Sequence, residues 1–179
     1  MFKTVSSIIG VALVVIYVAG SGLWVNTGDN WYRSLNAPSW QPPDFIFGII
    51  WPYNFTVLGI VAVNVAQKLS AGWVISYLSI FAISVVCALV WAYQFYRPHN
   101  LSTASIALTM VAILTVPLLI IAIKASVGVG LLLMPYQLWV ISDLLSVVTG
   151  RFPLSSKRST QCLRSSSSQP TKLCGFALL

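Results

Sequence analysis

Chemistry in this chain has few places to start. Asp143 is the only acidic residue inside a long apolar run, and Trp139 precedes it by four residues. That spacing puts both on one face of a helix. A carboxylate within a membrane span is costly and is a functional candidate by default. Asp143 also lies near the end of its run, so two readings stay open: it reaches water, or it is buried and paired with a cation such as Arg33 or Arg97. The single histidine, His99, has no His or Cys at ligand spacing, and Cys87, Cys162 and Cys174 are scattered, so neither a metal site nor a disulfide framework is expected. No Ser or Cys nucleophile pairs with a histidine, no two carboxylates are neighbours, and no glycine-rich phosphate loop occurs. A conventional hydrolase, kinase or dehydrogenase is not supported, and no catalytic residue stands out.

What remains is aromatic. Trp31–Trp51 holds three tryptophans, one tyrosine, two phenylalanines and three prolines in 21 residues. Pro38, Pro42 and Pro43 interrupt any helix there. The connection from Asn26 to Asp44 spans 19 residues, against about 2–8 for an ordinary helix–helix link. Such a loop suits a lid, and it also suits an interfacial aromatic belt. Six of the seven tryptophans (24, 31, 40, 51, 91 and 139) fall toward one end of the spans, and only Trp73 falls at the other. A belt populates both faces, so the asymmetry favours the lid. Trp51 and Trp139 lie about 9 and 14 Å inside their helices, deep enough to wall a cavity for a flat apolar ligand.

The elements that position these rings follow from composition. The chain has 179 residues, 58% hydrophobic and 7% charged, where soluble domains carry about 25% charged residues. Five apolar runs predict an all-α integral membrane bundle, with helices over about 5–25, 45–66, 73–96, 106–123 and 127–148, each long enough to cross a bilayer. Residues 1–152 form this membrane domain, and the Ser-rich basic tail, 153–179, is expected to be disordered or to lie on the membrane surface. The net charge of +7 sits in loops and tail rather than on a stripe, so nucleic acid is not a partner. Lys3, Lys68 and Lys124 mark one side. Arg33, Arg97, Arg151, Lys157, Arg158, Arg164 and Lys172 mark the other, which predicts a cytoplasmic lid loop and C-terminal tail. Pro52 and Pro135 are expected to bend their helices. Ser84, Ala88 and Ala92 recur every four residues, a spacing for close helix packing or for a dimer seam.

These residues resemble a family. Trp31-Tyr32, Leu35, Pro38, Trp40, Pro42-Pro43, Phe47-Gly48 and Trp51, with Trp91, Phe95-Tyr96, Pro135-Tyr136 and Leu138-Trp139-Val140, look like the pattern of the TspO/MBR proteins. These are the tryptophan-rich sensory proteins and the mitochondrial translocator protein. The resemblance covers about residues 5–150. It implies a multi-pass membrane protein, in the cytoplasmic membrane of a bacterium or the outer mitochondrial membrane or ER of a eukaryote. It also implies a pocket for porphyrins, protoporphyrin IX and haem, and in some members for cholesterol, with no obligatory cofactor. A homodimer through the third helix is implied as well. By that likeness and the aromatic pattern, Trp31, Tyr32, Trp40, Pro42, Phe47, Trp51, Phe55, Trp91, Phe95, Trp139 and Asp143 are the expected ligand-binding residues. Some bacterial members break porphyrin down in light, which would make Trp51 and Trp139 electron relays. A third reading is a proton-coupled transporter using Asp143. The sequence departs from the family at Asn54-Phe55, where Leu-Tyr is common. It departs also at Ser84 and Ala88, where Gln and Asn are usual, and at Asp143, where the pocket residue is small.

Overall fold

A computed structural model describes residues 1–25 and 44–148. Within them the chain forms α1 (Phe2–Trp24), α2 (Asp44–Lys68), α3 (Ala71–Tyr96), α4 (Leu101–Ala125) and α5 (Val127–Leu132), followed by a further helix over 134–148. The last two make one span, Val127–Val148, so five helices are long and apolar enough to cross a membrane. The protein is a five-span membrane protein, all-helical among the described residues, and helices suit lipid because they pair most backbone polar groups internally. The lid loop and the tail lie outside the described residues.

The packing inverts the pattern of a soluble bundle. Ile8, Val15, Ile75, Ile83, Val86, Ile106, Ile113 and Ile120 point outward and are exposed. Inside are small residues, Ala62, Ala66, Ala88, Ala92, Ala104 and Ala122, with Val61, Val65, Val74 and Val111. Small residues bring helix axes close and multiply dispersion contacts, which hold membrane helices together where lipid competes for apolar surface. Ser84 belongs to the same buried set. The Ser84–Ala88–Ala92 stripe therefore packs within the chain and is not an outward seam. Hydroxyls in this interior turn back onto their own helices: Ser105 donates to the Leu101 carbonyl at 2.6 Å, Thr109 to Ser105 at 2.8 Å and Thr115 to Val111 at 2.6 Å.

Three local features depart from the sequence reading. The fourth span begins at Leu101 rather than near residue 106. Asn100 caps it, its side chain accepting from the Thr103 N–H at 3.1 Å, so the polar turn Ser102-Thr103 is helical although it is not apolar. A third proline, Pro117, also lies inside a helix. The fifth span is interrupted at Leu133, whose N–H bonds the Gly130 carbonyl at 3.0 Å in a tightened turn. Pro135 follows and has no N–H for the Leu131 carbonyl. Tyr53 crosses from α2 and donates its hydroxyl to the Leu132 carbonyl at 2.9 Å.

Candidate functional site

Of the aromatic residues expected at the site, Trp51, Phe55, Trp91, Phe95 and Trp139 are buried or partly buried. Trp51, about one turn before Phe55 on α2, stacks on Trp91 of α3, with centroids 6.2 Å apart and planes 24° from parallel. Phe55 lies 5.6 Å from Trp51. Trp91 continues the cluster to Phe95 at 6.2 Å, and Phe95 meets Tyr96 edge-on at 4.9 Å. Trp91, Phe95 and Trp139 are buried, and Trp51 and Phe55 are partly buried. Helical spacing explains the continuity: residues three and four apart share a face, which lines up 51 with 55 and 91 with 95. Phe47 belongs to the first turns of α2. Trp31, Tyr32, Trp40 and Pro42 lie outside the described residues.

Tyr17 of α1 is a member that the sequence reading missed. It meets Trp51 edge-on at 6.4 Å and Phe55 at 5.0 Å, and its hydroxyl lies near that of the buried Tyr136 of the fifth span. The available signal was a tyrosine deep in an otherwise aliphatic first span. Burying a phenol there needs a polar partner, and the Tyr136 hydroxyl is the group near it.

Asp143, one turn after the buried Trp139 on the fifth span, is partly buried. The cation proposed for it is placed elsewhere: Arg97 donates to the Leu23 carbonyl at 3.2 Å, closing the C-terminal end of α1. Arg33 lies outside the described residues.

Other polar atoms in the interior lack protein partners among the described residues. Asn54 is fully buried, and neither its amide nitrogen nor its oxygen is hydrogen-bonded. The Trp91 indole nitrogen and the Tyr77 hydroxyl are in the same state. Buried polar groups are normally satisfied, so Asn54, three residues from Trp51, is a donor and acceptor held ready beside the rings. Among the described residues no cluster of three or more His, Cys, Asp or Glu forms that could hold a metal ion. An open groove of about 520 Å³ separates α1 from α2 on the outward side. Phe55, Gly59 and Asn64 are among its walls.

Comparison with known proteins gives this aromatic group a context. The sequence profile of the TspO/MBR family matches residues 8–146. The chain belongs to the TspO/MBR family. An uncharacterised membrane protein of Bacillus subtilis, YtaB, is 31% identical over 139 residues, covering 78% of this chain and 90% of its own. A tryptophan-rich sensory protein of Cereibacter sphaeroides is 28% identical over 134 residues, covering 72% and 82%. Protein CrtK of Rhodobacter capsulatus is 24% identical over 111 residues, covering 62% and 69%. As a TspO/MBR protein, the chain has Trp51, Trp91, Trp139 and Asp143 inside the matched range.

Proposed function

We propose that this TspO/MBR protein is a membrane sensor or regulator that binds a flat hydrophobic ligand, with tetrapyrroles such as protoporphyrin IX and haem as the first candidates. The observation that carries this reading is the Trp51–Trp91 stack, with Tyr17 edge-on to Trp51 and Phe55 tilted beside it. Flat ligands gain from stacking and from edge contacts on such faces. The printed name of the Cereibacter sphaeroides relative, a tryptophan-rich sensory protein, agrees with the sensory role. The loop carrying Trp31, Tyr32, Trp40 and Pro42 would close over the ligand. On the charge count that end faces the cytoplasm. A second copy would dock on the outward face of α3, where Ile83, Val86 and Val90 are exposed.

Titration of the purified protein with protoporphyrin IX tests the reading. Saturable tryptophan quenching with a shifted porphyrin absorbance is expected, and Trp51→Ala with Trp139→Ala should remove both. Absence of saturation, or an unchanged titration in the double variant, overturns it. Illuminating the complex separates holding from breakdown: a holding protein leaves the porphyrin absorbance no less stable than free porphyrin in micelles.

A further inference from the structure

We propose that the groove between α1 and α2 is a structural lipid site: it holds one acyl chain of an anionic phospholipid whose phosphate sits on Lys3. The site is separate from the planar-ligand reading and does not depend on it. Its walls are two helix faces. On α1, Lys3, Ser7, Val11 and Val15 recur every four residues and share a face. On α2, Ile60, Val63 and Gln67 do so at intervals of three and four. Each face is polar at one end and apolar beyond it, and the two polar ends meet. The Lys3 ammonium donates to the Gln67 carbonyl at 2.7 Å, and the Gln67 amide donates to the Ser7 hydroxyl at 3.0 Å. Deeper in, Thr56 turns its hydroxyl back onto the Pro52 carbonyl at 2.8 Å, which leaves carbon toward the groove. The helices press together at the buried Gly10 and Ala62 and part at Gly59, where an added Cβ would meet nothing within 4 Å.

The space is about 520 Å³ and runs from Phe55 to Gln67, about 18 Å at 1.5 Å per residue. One leaflet of hydrocarbon is about 15 Å deep, half of about 30 Å. The groove therefore has the length of one chain reaching from the interface to the midplane. Its polar end also has the charge of a phosphate site. The Lys3 ammonium has three donors, and the Gln67 carbonyl takes one. Lys68, next to Gln67, is exposed. No carboxylate among the described residues shares this end: Asp44 begins α2, at the other end from Lys68, and Asp143 lies near the end of the fifth span. An anionic phosphate supplies the missing charge, whereas a zwitterionic head group brings its own cation there. Asn64, one turn before Lys68, lines the groove, and its buried oxygen has no partner among the described residues. It can accept from a hydroxyl, which phosphatidylglycerol carries and phosphatidylcholine lacks.

Native mass spectrometry of the full chain in nonionic detergent, titrated with phosphatidylglycerol or with phosphatidylcholine of the same acyl chains, tests this. One phosphatidylglycerol per chain should be retained about tenfold more tightly than phosphatidylcholine, the scale of one or two lysines on an anionic lipid. Lys3→Gln should cut that preference to about threefold or less. Gly59→Leu fills the groove from α2 and should abolish retention of either lipid, while the protoporphyrin IX titration stays as in the unaltered protein. Equal retention of the two lipids, or a first lipid that survives Gly59→Leu unchanged, overturns the proposal. So does a dimer that is lost in Gly59→Leu while no lipid is retained, since a second copy then covers the groove. Where Gly59→Leu loses its helical circular dichroism, Val15→Phe fills the groove from α1 and decides in its place.

Discussion

The two ends of the bundle are built differently. At the end marked by Lys3, Lys68 and Lys124, side chains tie one helix to the next, although the buried Asn64 oxygen and Tyr77 hydroxyl have no hydrogen-bond partner among the described residues. Lys3 donates to the Gln67 carbonyl at 2.7 Å, Gln67 donates to the Ser7 hydroxyl at 3.0 Å, and the Lys124 ammonium sits 4.9 Å from the Trp73 ring centre. The helices there are pressed together: a Cβ on Gly10 would come 2.7 Å from the Ala62 Cβ, and one on Gly130 would come 2.7 Å from the Ile123 backbone. At the Trp51 end the packing residues are large rings, and Asn54 and the Trp91 indole nitrogen have no protein partner among the described residues. One end is tied by cation, amide and close backbone contacts, and the other is packed with rings around a buried amide. A bundle arranged this way keeps its stability at one end and its recognition at the other, the usual division between scaffold and site.

Substitutions should respect that division, and each can break it. The largest effect is expected from Gly130→Ala. The added carbon meets helix backbone, which cannot turn aside, so a loss of about 3 kcal/mol is expected in denaturant unfolding in mixed micelles, with the porphyrin affinity preserved in the folded fraction. Gly10→Ala should follow at about 2 kcal/mol for the same reason. Asn54→Leu should act in the opposite sense. Replacing an unsatisfied buried amide with an apolar group of similar size should stabilise by about 1–2 kcal/mol, while ligand quenching weakens. A destabilised Asn54→Leu would show that the amide is already satisfied and would blur the contrast between the ends. The smallest effects sharpen it. Gly59→Ala adds a carbon with nothing within 4 Å and should raise stability by about 0.5 kcal/mol, the helix preference for alanine. Lys124→Ala should lower it by about 0.5 kcal/mol through the lost contact with Trp73. Neither should alter ligand binding.

The spans were readable because lipid demands long apolar helices, and that demand is written in hydropathy alone. Their ends were less readable where capping overrides hydropathy, as at Asn100, whose side chain starts a helix five residues before the apolar run begins. The inward set Trp51, Phe55, Trp91 and Phe95 followed from one-dimensional spacing on two helices. Tyr17 did not, since its role depends on which neighbour crosses it, and a lone tyrosine in an aliphatic stretch does not name Tyr136 as its partner. Asp143 was visible as an exception to its surroundings, but its direction depended on the rotation of the fifth span. The fate of Arg97 was hidden for a similar reason: the end of one helix, at Leu23, claims it. The small-residue stripe on α3 fitted two outcomes equally, and only the assembled bundle shows it turned inward.

The bond from Tyr53 to the Leu132 carbonyl has a mechanical meaning. It is a bolt through the weakest joint of the fifth crossing, and the bolt is carried by the same rod that bears Trp51 two residues earlier. The short arm Val127–Leu132 is thereby tied to the helix that carries Trp51, and Tyr53→Phe would cut that tie while leaving both in place.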